Sequence, residues 1–149
     1  PGAGLDGFDW RVSLADVAAD GPFSAFPGVD RVLTMIAGDG LVLEIDGQPV
    51  RLEPGAPLVF PGEAAVMARL TAGPIRDLNV MVRRGAWTAR VEPWRGAPAL
   101  VSDGPTLVVL LEDAEDFAQL DVVLIDAGET AALDLPARIR ALTVALRTI

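Results

Sequence analysis

Asp77, Asn79 and Met81 alternate with apolar residues in the segment 75–83. Successive side chains of a β-strand point to opposite faces, so one face of this segment is wholly apolar and belongs to a core. The other face carries a carboxylate, an amide and a thioether. It either faces water or lines a polar cavity. Asp and Asn are depleted in strand interiors, so two of them at alternate positions need a reason.

Arg31 begins an apolar strand directly after Val29 and Asp30. A guanidinium can form two parallel hydrogen bonds to one carboxylate, a geometry that lysine does not supply. Arg31 is therefore a candidate for binding a carboxylate ligand. The alternative is an internal salt bridge to Asp30 or Asp77. The two can coexist, because a ligand carboxylate can compete for the same guanidinium.

Ser24 lies between Phe23 and Phe26, in a stretch bracketed by Gly-Pro and Pro-Gly turns. Its hydroxyl and the neighbouring backbone N–H groups are candidates for the mouth of a barrel. The alternative is a simple turn in which Ser24 bonds to its own backbone. We do not expect Ser24 to be a catalytic nucleophile, because the chain contains no histidine or lysine to activate it.

The residue types that are missing restrict the chemistry. The chain has no His, Cys, Lys or Tyr. These absences exclude a Ser-His-Asp triad, a thiol nucleophile, a Schiff base, a Walker-type phosphate loop and a histidine-based metal site. An acidic cluster at 112–116 lacks the spacing of a calcium loop. We therefore expect no metal and no cofactor, and any acid–base catalysis would depend on Asp and Glu alone.

Charge and hydropathy exclude further partners. The net charge is −9, and all 12 basic residues are arginines without a basic cluster, so we expect no nucleic-acid binding. Apolar runs are far shorter than the about 20 residues of a membrane helix. The first ten residues lack the features of a signal peptide. Together with the absence of cysteine, this predicts a cytoplasmic protein without a membrane partner.

The 15 Gly and 12 Pro residues interrupt the apolar runs at short intervals, which predicts many short strands. Only residues 113–120 look helical, over one or two turns. An antiparallel sandwich or barrel is the expected fold class. The predicted strands are 8–14, 31–37, 41–45, 49–52, 57–60, 64–70, 75–83, 87–91, 107–111, 121–125, 129–133 and 139–147.

A short similarity between two segments of the chain favours two barrels. Residues 50–55 and 124–129 both fit a β-turn-β unit of a jelly roll. With the chain length, this favours two small barrels over one large barrel. We predict an N-terminal barrel with a pocket at 1–93 and a smaller C-terminal barrel at 94–149, packed side by side.

Four ordered motifs carry a resemblance to a known family. They are Trp-Arg-x-Ser at 10–13, Pro-Phe-Ser at 22–24, Asp-Arg at 30–31 and Asp-Leu-Asn-x-Met at 77–81. With Phe-Pro-Gly at 60–62, the set closely resembles the histidine-utilisation D (HutD/Ves) family. The similarity runs from about residue 8 to residue 91 and continues weakly to the C-terminus.

This resemblance implies a bicupin, with two small antiparallel β-barrels of jelly-roll type. It implies a ligand-binding regulator linked to histidine degradation or to stress responses. The pocket would lie in the N-terminal barrel and take small carboxylates such as formylglutamate or urocanate. Family members usually begin with an additional pocket strand, and this chain starts just past where that strand would end.

With the resemblance added, we favour the cavity over solvent exposure. We expect Ser24, Arg31, Asp77, Asn79 and Met81 to bind a small anionic metabolite, and we assign no catalytic residue. One alternative is an isomerase or hydrolase that uses Asp77 as its base, with Arg31 and Asn79 stabilising an anion. Another is a ligand-free barrel that binds a protein partner. The sequence leaves a homodimer open.

Overall fold

Strands form all of the regular secondary structure in the residues that the structure describes. The structure is a computed structural model that describes residues 7–94, 100–114, 116–133, 135–136 and 138–149. It confirms the predicted all-β, antiparallel fold. The strands are β1 (Trp10–Val17), β2 (Gly21–Pro22), β3 (Val29–Ala37), β4 (Leu41–Ile45), β5 (Gln48–Leu52), β6 (Pro57–Pro61), β7 (Val66–Leu70), β8 (Ile75–Arg83), β9 (Trp87–Pro93), β10 (Leu100–Val101), β11 (Thr106–Leu110), β12 (Val122–Ile125), β13 (Thr130–Ala131) and β14 (Ala141–Thr148).

The chain divides into two compact units, residues 1–87 and 88–149. In the first unit, one sheet has the strand order β1-β8-β3-β6 and the other has the order β2-β7-β4-β5. Eight strands in two antiparallel four-stranded sheets with this order form a jelly roll, the architecture of cupins. The domain boundary after residue 93 remains a prediction.

The core of the first unit lies between these two sheets. Both sheets contribute apolar side chains from alternate positions, as the strand pleat requires. The buried members are Leu33, Met35, Leu41, Leu43, Leu52, Phe60, Ala64, Val66, Ala68 and Ile75. The predicted Asp46-Gly47 hairpin turn is also present, and both residues have positive φ angles of 48° and 79°. This pair of angles is the one that a tight two-residue hairpin needs.

The second unit contains a four-stranded sheet with the order β12-β11-β14-β9 and a short β10-β13 pair. Its central strand β11 is buried along its whole length. One face of the sheet packs on an apolar core that includes Trp94, Val108, Leu110, Ile125, Leu135 and Ala141.

The predicted helical turns at 113–120 are wrong for the residues described there. An isolated bridge joins Ala114 to Phe117 instead. The Asp113 carboxylate accepts a hydrogen bond from the Gln119 backbone N–H at 2.7 Å, and the Asp121 carboxylate accepts one from Ala118 at 2.9 Å. Aspartates that capture nearby backbone donors in this way compete with helix formation.

Strand register in the first sheet places the predicted site residues. β8 lies between β1 and β3, and Met81 is opposite both Arg11 and Arg31. Each such set of directly paired residues forms one row across the sheet. In the next row on the same face Asn79 is opposite Ser13 and Leu33, and the row after that contains Asp77. Because directly paired residues share a face, these side chains project into the interior of the jelly roll with Leu33.

Candidate functional site

A cavity of about 340 Å³ lies within the first unit. Strands β1, β3 and β8 of one sheet form its floor, and the segment 22–26 forms its remaining wall. All five residues predicted to bind the ligand line this cavity. The complete lining is Arg11, Ser13, Leu14, Ala15, Val17, Pro22, Phe23, Ser24, Phe26, Arg31, Asp77, Asn79 and Met81.

Four of the five predicted residues are buried. Arg31, Asp77, Asn79 and Met81 are 4%, 2%, 7% and 3% exposed. Ser24 is exposed at the loop. The apolar residues that alternate with the β8 set are buried too, so both faces of β8 are covered. The polar face of β8 therefore lines a cavity in the protein and does not face bulk solvent.

Two hydrogen bonds fix the position of the Arg31 guanidinium. Its Nε donates to Oδ1 of Asn79 at 3.4 Å, and its Nη1 donates to the backbone carbonyl of Ser24 at 3.1 Å. An arginine has five N–H donors, and Nη2 has no hydrogen-bond partner among the described residues. One N–H of Nη1 and both of Nη2 are thus available to a ligand.

Three aromatic rings surround the same guanidinium. Its Cζ atom lies 5.4 Å from the ring centroid of Phe23, 5.5 Å from that of Phe26 and 5.1 Å from that of Phe60. These distances fall within the range of cation–π attraction. The rings hold the flat cation in place and leave its N–H edge as the part that can bind an anion.

The charge of Arg31 is not neutralised by a neighbouring carboxylate. Among the described residues, no carboxylate oxygen lies within 4.0 Å of its nitrogens. Asp30, one of the two partners considered, binds Nε of Arg84 at 2.7 Å instead. Burial lowers the pKa of Arg31 below its ordinary value, and the more distant charge of Asp77 opposes that shift.

Asp77 is a buried carboxylate without a hydrogen bond to any described residue, and its Oδ1 is fully enclosed. Burial raises the pKa of Asp77 from 3.8 to about 6, because a carboxylate loses its hydration inside the protein. The charge of Arg31 partly offsets this rise, and that of Asp16 adds to it. Asp77 therefore changes its charge near pH 6.

Backbone hydrogen bonds hold the loop that covers the cavity. The Phe23 N–H donates to the Val66 carbonyl at 2.9 Å, and the Phe26 N–H donates to the Gly62 carbonyl at 2.8 Å. With both phenylalanines anchored, the Ser24 carbonyl points at Arg31. Ser24 thus contributes its backbone oxygen to the site, where the sequence had suggested its hydroxyl and backbone N–H groups.

Sequence reasoning missed two polar residues of the cavity, Arg11 and Ser13. They alternate with Trp10 and Val12 in β1, so the same period-2 pattern that indicated the β8 face also pointed to them. The Arg11 side chain has no hydrogen bond or ion pair within the described part of the chain. It adds a second positive charge to the cavity, in the same row as Arg31.

Metal-binding groups are not clustered here. In the parts of the chain that the structure describes, no group of three Asp or Glu residues is arranged to hold an ion. A different absence concerns membranes: the described residues contain no helix long and apolar enough to cross one. The polar groups that line the cavity are those of two arginines, one carboxylate, one amide and two serines.

Comparisons with known proteins agree with the fold and with the motifs. The family model described as HutD matches residues 1–145. An uncharacterised 21.2 kDa protein in the hutC 3′ region of Pseudomonas putida is 41% identical over 109 residues, which are 72% of this chain and 57% of that protein. Protein Ves of Citrobacter koseri is 41% identical over 86 residues, covering 56% and 45% of the two chains. The chain thus spans about half the length of these curated relatives.

Solved structures give the same result. HutD from Pseudomonas fluorescens SBW25, determined in a formate condition, superposes with a TM-score of 0.83 at 34% identity over 99% of this chain and 84% of that chain. Salicylate 1,2-dioxygenase of Pseudoaminobacter salicylatoxidans shares the fold alone, with a TM-score of 0.66 at 8% identity over 95% of this chain and 72% of that chain. The motifs, the jelly roll and the family match agree, and the chain belongs to the HutD family.

Proposed function

We propose that the cavity binds a small carboxylate and that the protein acts as a metal-free ligand-binding regulator or sensor. The observation that carries this proposal is Arg31, a buried guanidinium with free N–H groups and no carboxylate partner within the described residues. An uncompensated buried charge costs several kcal/mol, roughly, even after relaxation. A ligand carboxylate would remove that cost by supplying the missing negative charge.

The free N–H groups define how the ligand would dock. The outer N–H groups of Nη1 and Nη2 are parallel in any guanidinium, and we propose that a carboxylate accepts both in the bidentate arrangement. Hydrogen bonds to charged groups contribute about 1.5–3 kcal/mol each. A cavity of about 340 Å³ is at the small end of ligand pockets and suits a short metabolite.

Histidine degradation is the proposed context for this ligand. The chain belongs to the HutD family, and its P. putida relative is encoded in the hutC 3′ region. We therefore propose formylglutamate or urocanate as the ligand class to examine first. A role in a stress response and a cytoplasmic location remain predictions of the sequence, which leaves a homodimer open.

Isothermal titration calorimetry with formate, acetate, formylglutamate and urocanate tests the proposal. We expect at least one acid to bind the wild-type protein, and Arg31→Lys to weaken that binding by about tenfold or more, because an ammonium cannot reproduce the bidentate geometry. The matched control is Arg69→Lys, whose side chain is exposed and paired with Glu44 at 3.0 Å. Equal binding by wild type and Arg31→Lys would contradict the assignment.

The raised pKa of Asp77 favours a second candidate function. A general base works best when its pKa lies near the operating pH, and that of Asp77 is about 6 in a cavity that can hold a substrate. The enzyme would be an isomerase or hydrolase in which Arg31 and the amide of Asn79 stabilise a developing anion. A turnover assay on the same acids separates the two candidates. An enzyme should convert at least one acid and lose this activity in Asp77→Asn, whereas a binding protein should convert none.

A further inference from the structure

Carboxylate binding by Arg31 does not explain why Asp77 is buried in the cavity. Carboxylates buried in proteins are almost always hydrogen-bonded, because an unsatisfied buried charge is costly. Asp77 is 2% exposed, yet neither of its oxygens accepts a hydrogen bond from a described residue. Ser13 and Asn79 line the same cavity, and neither donates to it. The donor that would satisfy Asp77 is missing from the described protein.

We propose that the ligand carries an N–H or O–H donor in addition to its carboxylate, and that Asp77 accepts a hydrogen bond from that donor. This inference rests on the proposed function of the same site. Asp77 and Arg31 would then recognise opposite ends of one molecule. The ligand class is an amino, amido, imidazolyl or hydroxy acid, and simple fatty acids are excluded from tight binding.

The positions of the two groups set the size of such a ligand. Arg31 is opposite Met81, but its Nε reaches the Asn79 side chain one row further along β8. Asp77 lies two residues beyond Asn79 on the same face, which corresponds to roughly 7 Å along the strand. A ligand that spans this gap has its donor only a few bonds from its carboxylate.

Two charges of opposite sign within one cavity would also make the site select acids that carry a donor over plain acids. A simple acid satisfies Arg31 and Arg11 but places its apolar end against the Asp77 carboxylate, which then stays unsolvated. An acid with a donor satisfies both ends. The penalty for leaving a buried polar group unpaired is the kind of term by which sites reject ligands that lack one hydroxyl or amino group.

The test compares acids that differ only in the donor. Calorimetry at about pH 8, where Asp77 is ionised, would measure propionate against 3-aminopropionate and 3-hydroxypropionate, and butyrate against 4-aminobutyrate. We expect the wild-type protein to bind at least one donor-bearing acid about tenfold or more tightly than its plain partner, the gain expected from one hydrogen bond to a charged group. The Arg31→Lys variant should lose affinity for both kinds of acid.

Asp77 variants test the acceptor directly. In Asp77→Asn, 3-aminopropionate and 4-aminobutyrate should bind less than about threefold more tightly than propionate and butyrate, because the ion pair between the ligand's ammonium group and Asp77 is lost. Asp77→Leu removes the acceptor and should abolish the advantage of the hydroxy acid as well. Asp39→Asn, in an exposed turn, is the control and should change neither ratio.

The outcomes separate this inference from the proposed function. If plain acids bind as tightly as their donor-bearing partners, the inference is overturned and carboxylate binding stands. If the advantage of the donor survives in Asp77→Leu, Asp77 is not the acceptor and the inference is again wrong. If no acid of either kind binds the wild-type protein, carboxylate binding itself fails.

Discussion

The Arg31 guanidinium is held by groups that position it without neutralising it. Three phenylalanine rings, the Ser24 carbonyl and the Asn79 amide contact it, and all of these are uncharged. Such a residue lowers the stability of the folded state, because its desolvation is not offset by an ion pair. Sites that are organised for a ligand often carry this kind of cost.

Asp77 should make stability depend on pH in an unusual direction. Its pKa rises from 3.8 to about 6 on folding, so the folded protein holds the Asp77 proton more tightly than the unfolded chain. Stability from this group is therefore greatest below pH 3.8 and is lost as the pH rises towards 6, by roughly 3 kcal/mol in total. The shift is caused mainly by burial, so it belongs to the folded state.

Asp77→Asn isolates this effect, because asparagine has the shape of the neutral carboxyl group. We expect the variant to be more stable than wild type at about pH 8, by up to about 3 kcal/mol, and equally stable near pH 3, where Asp77 is protonated in both the folded and the unfolded state. Urea unfolding at both pH values measures the difference. Subtracting the two proteins cancels the other carboxylates, such as Asp16, whose pKa the Arg76 hydrogen bond lowers. A variant that is less stable than wild type at pH 8 would contradict this account.

The loop between β2 and β3 depends on a close approach to the turn after β6. Gly62 and the loop exchange backbone hydrogen bonds, since Gly62 accepts from Phe26 at 2.8 Å and donates to Val29 at 2.7 Å. A Cβ atom at Gly62 would lie 2.9 Å from the Val29 carbonyl oxygen and closer still to that of Phe26. The absent side chain is thus what lets Phe26 reach Arg31.

Gly62→Ala should displace this loop. The obstructing atoms belong to the backbone, so the loop has to move, and we expect a loss of about 1–3 kcal/mol in stability. Carboxylate affinity should also fall by about tenfold or more, because Phe26 and the Ser24 carbonyl no longer hold Arg31. Calorimetry and thermal unfolding measure the two effects.

Gly21→Ala is the matched control for this substitution. Gly21 lies in the same region, in β2, and a Cβ atom there meets nothing within 4 Å. It should leave both affinity and stability close to those of wild type. If the two variants behave alike, the close approach at Gly62 is not what positions the loop.

The alternation of polar and apolar residues along the strands was enough to predict part of the site from the sequence. The alternation in β8 identified Asp77, Asn79 and Met81 as one face, because the pleat assigns faces without knowledge of the rest of the fold. Arg11 and Ser13 were missed, because their strand shows the same alternation but the local pattern does not tell which polar face lines a cavity. Which face is covered depends on strand order, and the pairing of β1 with β8 joins residues that are 58 to 72 positions apart in the sequence.

Loop geometry was beyond prediction for a related reason. The Ser24 carbonyl, not its hydroxyl, meets Arg31, because hydrogen bonds from Phe23 and Phe26 to distant strands set the direction of the loop. No local pattern encodes those contacts. At 113–120, local propensity gave a helix where aspartate side chains captured the backbone donors instead.

The charges of the described residues support the proposal that the cavity binds an anion. Eight arginines pair with carboxylates on the described surface, whereas the two arginines that line the cavity do not. Arg138 is the only other described arginine without such a partner. In a protein of net charge −9, unpaired positive charge is thus concentrated where a small acid can reach it.

The composition of the whole chain predicts that acid binding needs no metal. Transition metals in proteins are held tightly mainly by nitrogen and sulfur ligands, and the chain contains no histidine or cysteine. Carboxylate-only sites favour Mg²⁺ or Ca²⁺, and the described residues hold no cluster of three carboxylates. On the proposed function, the guanidinium of Arg31 would take the place that a metal cation would otherwise have as the anion's partner.

We therefore expect dialysis against EDTA to leave the affinity for carboxylates unchanged, and elemental analysis of the purified protein to show no stoichiometric transition metal. Calorimetry before and after chelation measures the first quantity. Adding Zn²⁺ or Mn²⁺ back to the dialysed protein is the control and should not alter the dissociation constant. One equivalent of zinc, iron or manganese, or binding that is lost on chelation and restored by metal, would show that Arg31 is not the anion's main partner.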